Sequence, residues 1–192
     1  NTMSLALVTA INANGGPVND QGGSSSISTT LLANTLRQFG DASDQIVAWV
    51  MHSEAFFDLM TEQIDNRIID RVAGATIYEG TVGTLGLPAL VTDSDALINS
   101  GSPDTYNTLG LTPNALAALQ DGEPTESDGI NRGNENLEFE IQGEHDYTVK
   151  AKGHDYTSST VNPDDTALGT QGNWNRVMDS VKDGPGAMLI TN

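Results

Sequence analysis

The 192-residue sequence predicts an α+β fold, with helices gathered early in the chain and strands dominating later. Three observations predict it. Ile27, Leu31, Leu32, Leu36 and Phe39 recur at a spacing that lays one apolar stripe along a helix. Ile46 to Met51 (IVAWVM) is a short unbroken apolar run rich in β-branched residues, which fits a strand buried on both faces. From Ala75 onward, short apolar runs stand between glycines and acids, and Leu137, Phe139 and Ile141 alternate with Glu138 and Glu140 as in a half-buried strand.

Each element has a local reason. Ser4 to Ala13 reads as the end of a helix, with Leu5, Val8 and Ile11 near helical spacing, and it stops at Asn14-Gly15-Gly16-Pro17, a left-handed cap followed by a breaker. Residues 14–26 read as a polar flexible connection. The second helix, Ile27 to Phe39, takes Ser26 or Ser28 as its cap and ends at Gly40. Ser53 is expected to cap a third helix, with Glu54 against its positive start. Along it, Phe57, Met60, Ile64 and Ile68 are expected to form the buried seam, with Glu62, Asp65, Arg67 and Asp70 in water and an end before Gly74. Short strands follow at Ala75 to Tyr78, Leu87 to Thr92 and Tyr106 to Leu111. Thr112 to Leu119 reads locally as a helix, since Thr112 can cap, Pro113 suits the first position and NALAAL is alanine-rich. Residues 121–136 read as an acidic exposed loop. Leu137 to Ile141 and Tyr147 to Ala151, around Gly143, read as a hairpin with one buried face. The tail reads as a loop through Asn162-Pro163-Asp164-Asp165, a short helix near Asn173 to Val177, and a closing strand at Ala187 to Thr191.

Composition narrows the function. Twenty-six acids stand against eight bases, a formal net charge of −18, and Arg37, Arg67, Arg71, Arg132 and Arg176 are scattered, with Lys150, Lys152 and Lys182 the lysines. Nucleic-acid binding draws on clustered cations, so this chain is expected to repel a polyanion. No run approaches the roughly 20 apolar residues of a membrane helix. Without cysteine there is no disulfide, thiolate nucleophile or zinc–sulfur site. The chain opens on Asn1 with no basic and apolar leader, so an upstream part is expected to precede it.

Searches for chemistry single out no catalytic, cofactor-binding or metal-ligating residue. Neither a G-x-x-x-x-G-K-[ST] nor a G-x-G-x-x-G phosphate cradle occurs, and no H-E-x-x-H pairs the histidines. His52, at the end of the buried run, reads as a packed histidine, whereas His145 and His154 read as exposed. Asp93-Ser94-Asp95 and the acids of 121–135 depart from calcium-loop spacing. Ser53 is better explained as a cap than a nucleophile. Trp49 and Trp174 read as core or contact aromatics, Trp174 with an interface anchor as the second reading. An acidic, salt-adapted hydrolase with paired carboxylates and an extracellular calcium-binding module remain as alternatives from other classes.

At Gly40 to Ile64 the segment GDASDQIVAWVMHSEAFFDLMTEQI resembles the major capsid proteins of tailed bacteriophages, which share the Hong Kong 97 type fold. The likeness is carried by a helix (Ile27 to Phe39), a buried strand ending in Met-His (Ile46 to His52), and a following helix from Glu54. Gly86-Leu87-Pro88-Ala89-Leu90-Val91-Thr92-Asp93 is similar to the strand that comes next, and Val161 to Leu168 followed by Asn173-Trp174 to a closing segment of one subgroup. The resemblance implies a long spine helix at 27–39 within a peripheral segment (1–45), an axial domain (46–140), and a return to the peripheral domain with the tail (141–192). It also implies that Ala115 to Leu119 is a strand, against the local helix reading, and that reading is preferred because tertiary context outweighs propensity. Function would then be self-assembly in hexamers and pentamers into an icosahedral virion shell, assembled in the host cytoplasm, enclosing DNA without sequence-specific binding. It would involve no enzymatic activity, no cofactor, and no membrane; decoration, portal or scaffolding proteins are the further partners implied. An encapsulin-like compartment shell is the nearest alternative within the same fold.

Overall fold

The computed structural model describes residues 2–65, 71–72, 75–76, 83–120, 122–132, 137–144, 146–160 and 162–192. Its first helix, α1 (Thr2–Asn12), is apolar on two sides, with Leu7 and Ile11 along one and Ala6 and Ala10 along another. A helix of that kind must be covered twice. It ends as the sequence predicts, with Asn14 at φ 53° and Gly15 at φ 71° in the left-handed region before Pro17.

The chain then forms β1 (Val18–Asp20), α2 (Thr29–Arg37), β2 (Ala48–Met51) and α3 (Ser53–Asp65). Two short strands, β3 (Arg71–Val72) and β4 (Ala75–Thr76), pair with each other, and β5 (Ala89–Val91), β6 (Ile98–Asn99) and β7 (Thr105–Leu111) follow. The C-terminal strand β14 (Gly186–Thr191) completes a mixed sheet in the order β1-β14-β7-β2-β5, with β6 also on β7. β1 runs parallel to β14, and β5 parallel to β2, as a strand–helix–strand crossover through α3 requires; β14–β7 and β7–β2 are antiparallel.

Strand alternation sorts the core into two layers. Val50, Leu109 and Met188 point to one face and meet Leu7 and Ile11 of α1. Trp49, Met51 and Leu189 point to the other and meet Leu32 of α2 and Ala55 and Leu59 of α3. Trp49 is fully buried, and its indole Nε1–H donates to the Thr84 carbonyl at 3.1 Å. Gly110 lies against that ring, where an added Cβ would stand 2.7 Å from Trp49 Cζ3. The second side of α1 is covered by a smaller lobe built from β8 (Leu116–Gln120), β11 (Tyr147–Ala151), β12 (His154–Tyr156), α4 (Asp165–Leu168) and β13 (Trp174–Arg176). There Ala151, Leu168 and Trp174 pack on the alanines of α1.

Several expectations are corrected. The helix expected over 27–39 is the nine-residue α2, about 13 Å long at 1.5 Å per residue. Ser28 caps it through Leu31 N–H, and Gly40 at φ 56° diverts the chain into a 3-10 helix at Gly40–Gln45. The buried positions of α3 are Ala55 and Leu59, while Phe57 is 61% exposed and Met60 is exposed too. Phe57 lies two residues from both Ala55 and Leu59, about 200° around the helix from either; Ile64 as a side chain and residue Ile68 fall outside the described residues. The connection at 14–26 contains β1, whose partner is at the other end of the chain. Residues 112–115 form a turn with Asn114 at φ 58°, and 116–120 are a strand, as the family resemblance implied and local propensity did not. The acidic stretch 121–136 is exposed where described, but it is a strand, β9 (Thr125–Arg132). Its partner is β10 (Leu137–Glu144), while Tyr147–Ala151 pairs with β8. Thus the two arms expected to pair with each other pair elsewhere: period-2 alternation fixes faces, not partners. Asn173–Val177 is not a helix, because Trp174–Arg176 pairs with His154–Tyr156.

Candidate assembly surface

The strands β9 and β10 form a ribbon that pairs with no other strand among the described residues. It leaves the lobe where β8 and β11 end, and eight residues per arm give it a reach of about 26 Å. Its register sets Phe139 opposite Ile130 and Ile141 opposite Asp128. These positions share one face, and Glu140, Gln142 and Glu144 share the other. Gln142 Nε2 donates to Glu140 Oε1 at 2.6 Å along that polar face. Ile130, Phe139 and Ile141 are 62%, 65% and 71% exposed. A two-stranded ribbon with its apolar face in water is marginal by itself.

The lobe holds a groove of about 620 Å³ whose lining includes Tyr147, Val149, Lys150, His154, Asp155, Tyr156, Leu168 and Trp174. The Tyr156 ring meets Trp174 edge to face at 5.3 Å, and Trp174 Nε1–H donates to the Leu168 carbonyl at 2.9 Å. The Tyr156 hydroxyl oxygen is buried with no hydrogen-bond partner among the described residues. His154 Nδ1 lies 3.0 Å from the Lys152 carbonyl. Burial holds the imidazole below its ordinary pKa, the Lys152 carbonyl opposing and the Arg176 charge assisting.

The other residues considered from sequence are accounted for structurally. His52 is packed, stacked on Tyr106 at 5.1 Å, with Nδ1 accepting from the Glu54 N–H at 3.2 Å. It therefore serves the start of α3, the role expected of Ser53, which lies inside that helix. Asp93 is drawn below the usual carboxylate range chiefly by a hydrogen bond from Ser53, with His52 assisting, and His52 Nε2 lies 3.8 Å from it. Trp174 is buried, so its reading as a surface anchor is set aside. His154 is half-buried in the groove rather than exposed, and His145 lies outside the described residues. Among the described residues no group of three or more His, Asp or Glu converges as a metal set, and no helix is long and apolar enough to cross a membrane. What sequence reasoning missed is the unpacked ribbon. The alternation at 137–141 signalled an apolar face but assigned it to the core.

A family model described as Gp13-like, major capsid protein 13-like, matches residues 1–188. No curated protein matches the chain.

Proposed function

Because the chain belongs to the Gp13-like family of major capsid proteins, we propose that copies of it close into the icosahedral shell of a tailed phage, through hexamers and pentamers, around a DNA genome. The membership itself makes this a structural protein of the virion capsid that assembles with copies of itself. The single observation that carries the reading is the family match across nearly the whole chain. The fold is compatible with it: a two-faced sheet between helical layers supplies a rigid body, and the β9–β10 ribbon supplies an arm that reaches beyond it. We assign the body to the Hong Kong 97 type, divided into 1–45, 46–140 and 141–192 as the resemblance implies, with the mixed sheet drawing strands from all three segments.

The charge balance suits a container. A chain with a formal net charge of −18 repels DNA overall, so the genome would be enclosed without being gripped. The same charge opposes close approach of copies, so assembly in the host cytoplasm should require salt or divalent ions. Decoration, portal and scaffolding proteins would dock on the finished or growing shell. The test is to band particles from producing cells on a density gradient. Particles composed mainly of this chain that protect double-stranded DNA from nuclease support the reading; particles that hold enzyme cargo and no nucleic acid replace the virion with a compartment.

A further inference from the structure

The first turn of α3 is held by two acceptors that can each take a proton. His52 is the N-cap: its carbonyl accepts from the Phe56 N–H at 3.0 Å, and its imidazole Nδ1 accepts from the Glu54 N–H at 3.2 Å. A backbone N–H can only donate, so Nδ1 carries no proton and the ring is the neutral tautomer with its hydrogen on Nε2. That Nε2 lies 3.8 Å from the Asp93 carboxylate. Asp93 in turn accepts from Ser53, through its hydroxyl and its backbone N–H. The start of α2, by contrast, uses the hydroxyl of Ser28, which does not titrate.

The imidazole is buried and stacks on Tyr106. Around the pair stand Glu54 and Asp58 of α3 and Asp104 ahead of β7, which act on Tyr106, and Asp93 beyond β5, which faces the imidazole. These acids favour an imidazolium, whereas the positive end of α3 and the Glu54 N–H oppose it. We propose that His52 is a proton-operated cap, whose protonation releases the start of α3 and turns the imidazole toward Asp93. The proton enters at Nδ1, the ring nitrogen without one, so the acceptor becomes a second donor facing the Glu54 N–H and that bond is lost. The imidazolium then pairs with the Asp93 carboxylate, while the Phe56 N–H keeps its bond to the His52 carbonyl. The joint where β2, α3 and the exit of β5 meet therefore has two arrangements, selected by acidity. The device belongs to the single chain and holds whether or not copies assemble.

Hydrogen exchange of the whole chain, read by mass spectrometry between about pH 8 and pH 5, follows both sides of the switch across the span in which histidine ordinarily changes charge. Exchange at the ring carbon of His52 reports its protonation. Overlapping peptides across Ser53–Phe56, corrected for the intrinsic pH dependence of amide exchange, report the cap. The expected result is a loss of protection at Glu54 of about fivefold, the size of a lost N-cap, with the same midpoint as the ring, while the start of α2 keeps its protection. His52→Asn supplies an acceptor that does not titrate, so protection at Glu54 should then stay constant over the same range. Three results would each overturn the proposal: a ring still neutral at the acid end, a Glu54 amide equally protected beside a protonated ring, or a His52→Asn chain with the wild-type acid response. Should His52→Asn fail to fold, the two wild-type midpoints decide alone.

Discussion

Gly110 and Gly186 sit where β7 and β14 close over Trp49, and neither has room for a side chain. A Cβ at Gly110 would press on the indole, and one at Gly186 would stand 2.0 Å from the Gly110 carbonyl oxygen. Gly110→Ala is therefore expected to destabilise by about 1–3 kcal/mol, as overpacking does, and Gly186→Ala by more because backbone cannot rotate away; chemical denaturation measures both. The sequence marks neither position, since the close approach arises between strands far apart in the chain. His154 makes a second prediction at this scale. Burial holds its folded pKa below the ordinary 6.5, so the unfolded chain takes the proton first. Its contribution to stability is full above about pH 6.5 and is lost as pH falls below that value. The melting temperature of His154→Gln should accordingly fall less than that of the wild type between pH 7.5 and pH 5.5. An equal fall in both would contradict the assignment. His52, by contrast, was legible as a packed residue from its place at the end of IVAWVM.

Elements divide by whether their partners are near in sequence. The end of α1 at Asn14-Gly15 and the start of α2 at Ser28 were readable because caps are local chemistry. β1 was not, because its strand partner among the described residues is β14 at the far end of the chain, and the pairing of β10 with β9 was not, because alternation looks the same whichever strand lies alongside. α3 was placed correctly but turned: its apolar residues Phe57 and Met60 face water, and Ala55 and Leu59 face Trp49. Mutations should separate these two kinds of apolar position. Leu59→Ala and Leu109→Ala remove fully buried side chains and are expected to cost about 2–5 kcal/mol each. Ile141→Ser on the ribbon and Phe57→Ser on α3 should change stability of the isolated chain by less than about 0.5 kcal/mol. Thermal unfolding of the unassembled protein checks the contrast, and a large loss on Ile141→Ser would mean that the ribbon is already packed within its own chain.

For the molecule as a whole, charge decides how copies meet. A formal net charge of −18 places like-charged surfaces against each other in any shell, and screening acts over about 10 Å at 0.1 M salt. The assembled fraction should rise as salt is raised from about 10 mM to several hundred millimolar, the screening length falling from about 30 Å, with light scattering as the measure; shells that hold equally well at very low salt with chelator present would argue against this. At this scale composition speaks through its excess of acids over bases, while the shape of the assembly surface depends on tertiary packing that no window of sequence contains. The central claim is that this chain works by tiling with itself. Electron microscopy of the purified protein at moderate salt tests it most directly: the account predicts closed shells or rings of five and six copies, and a uniform field of monomers would contradict it.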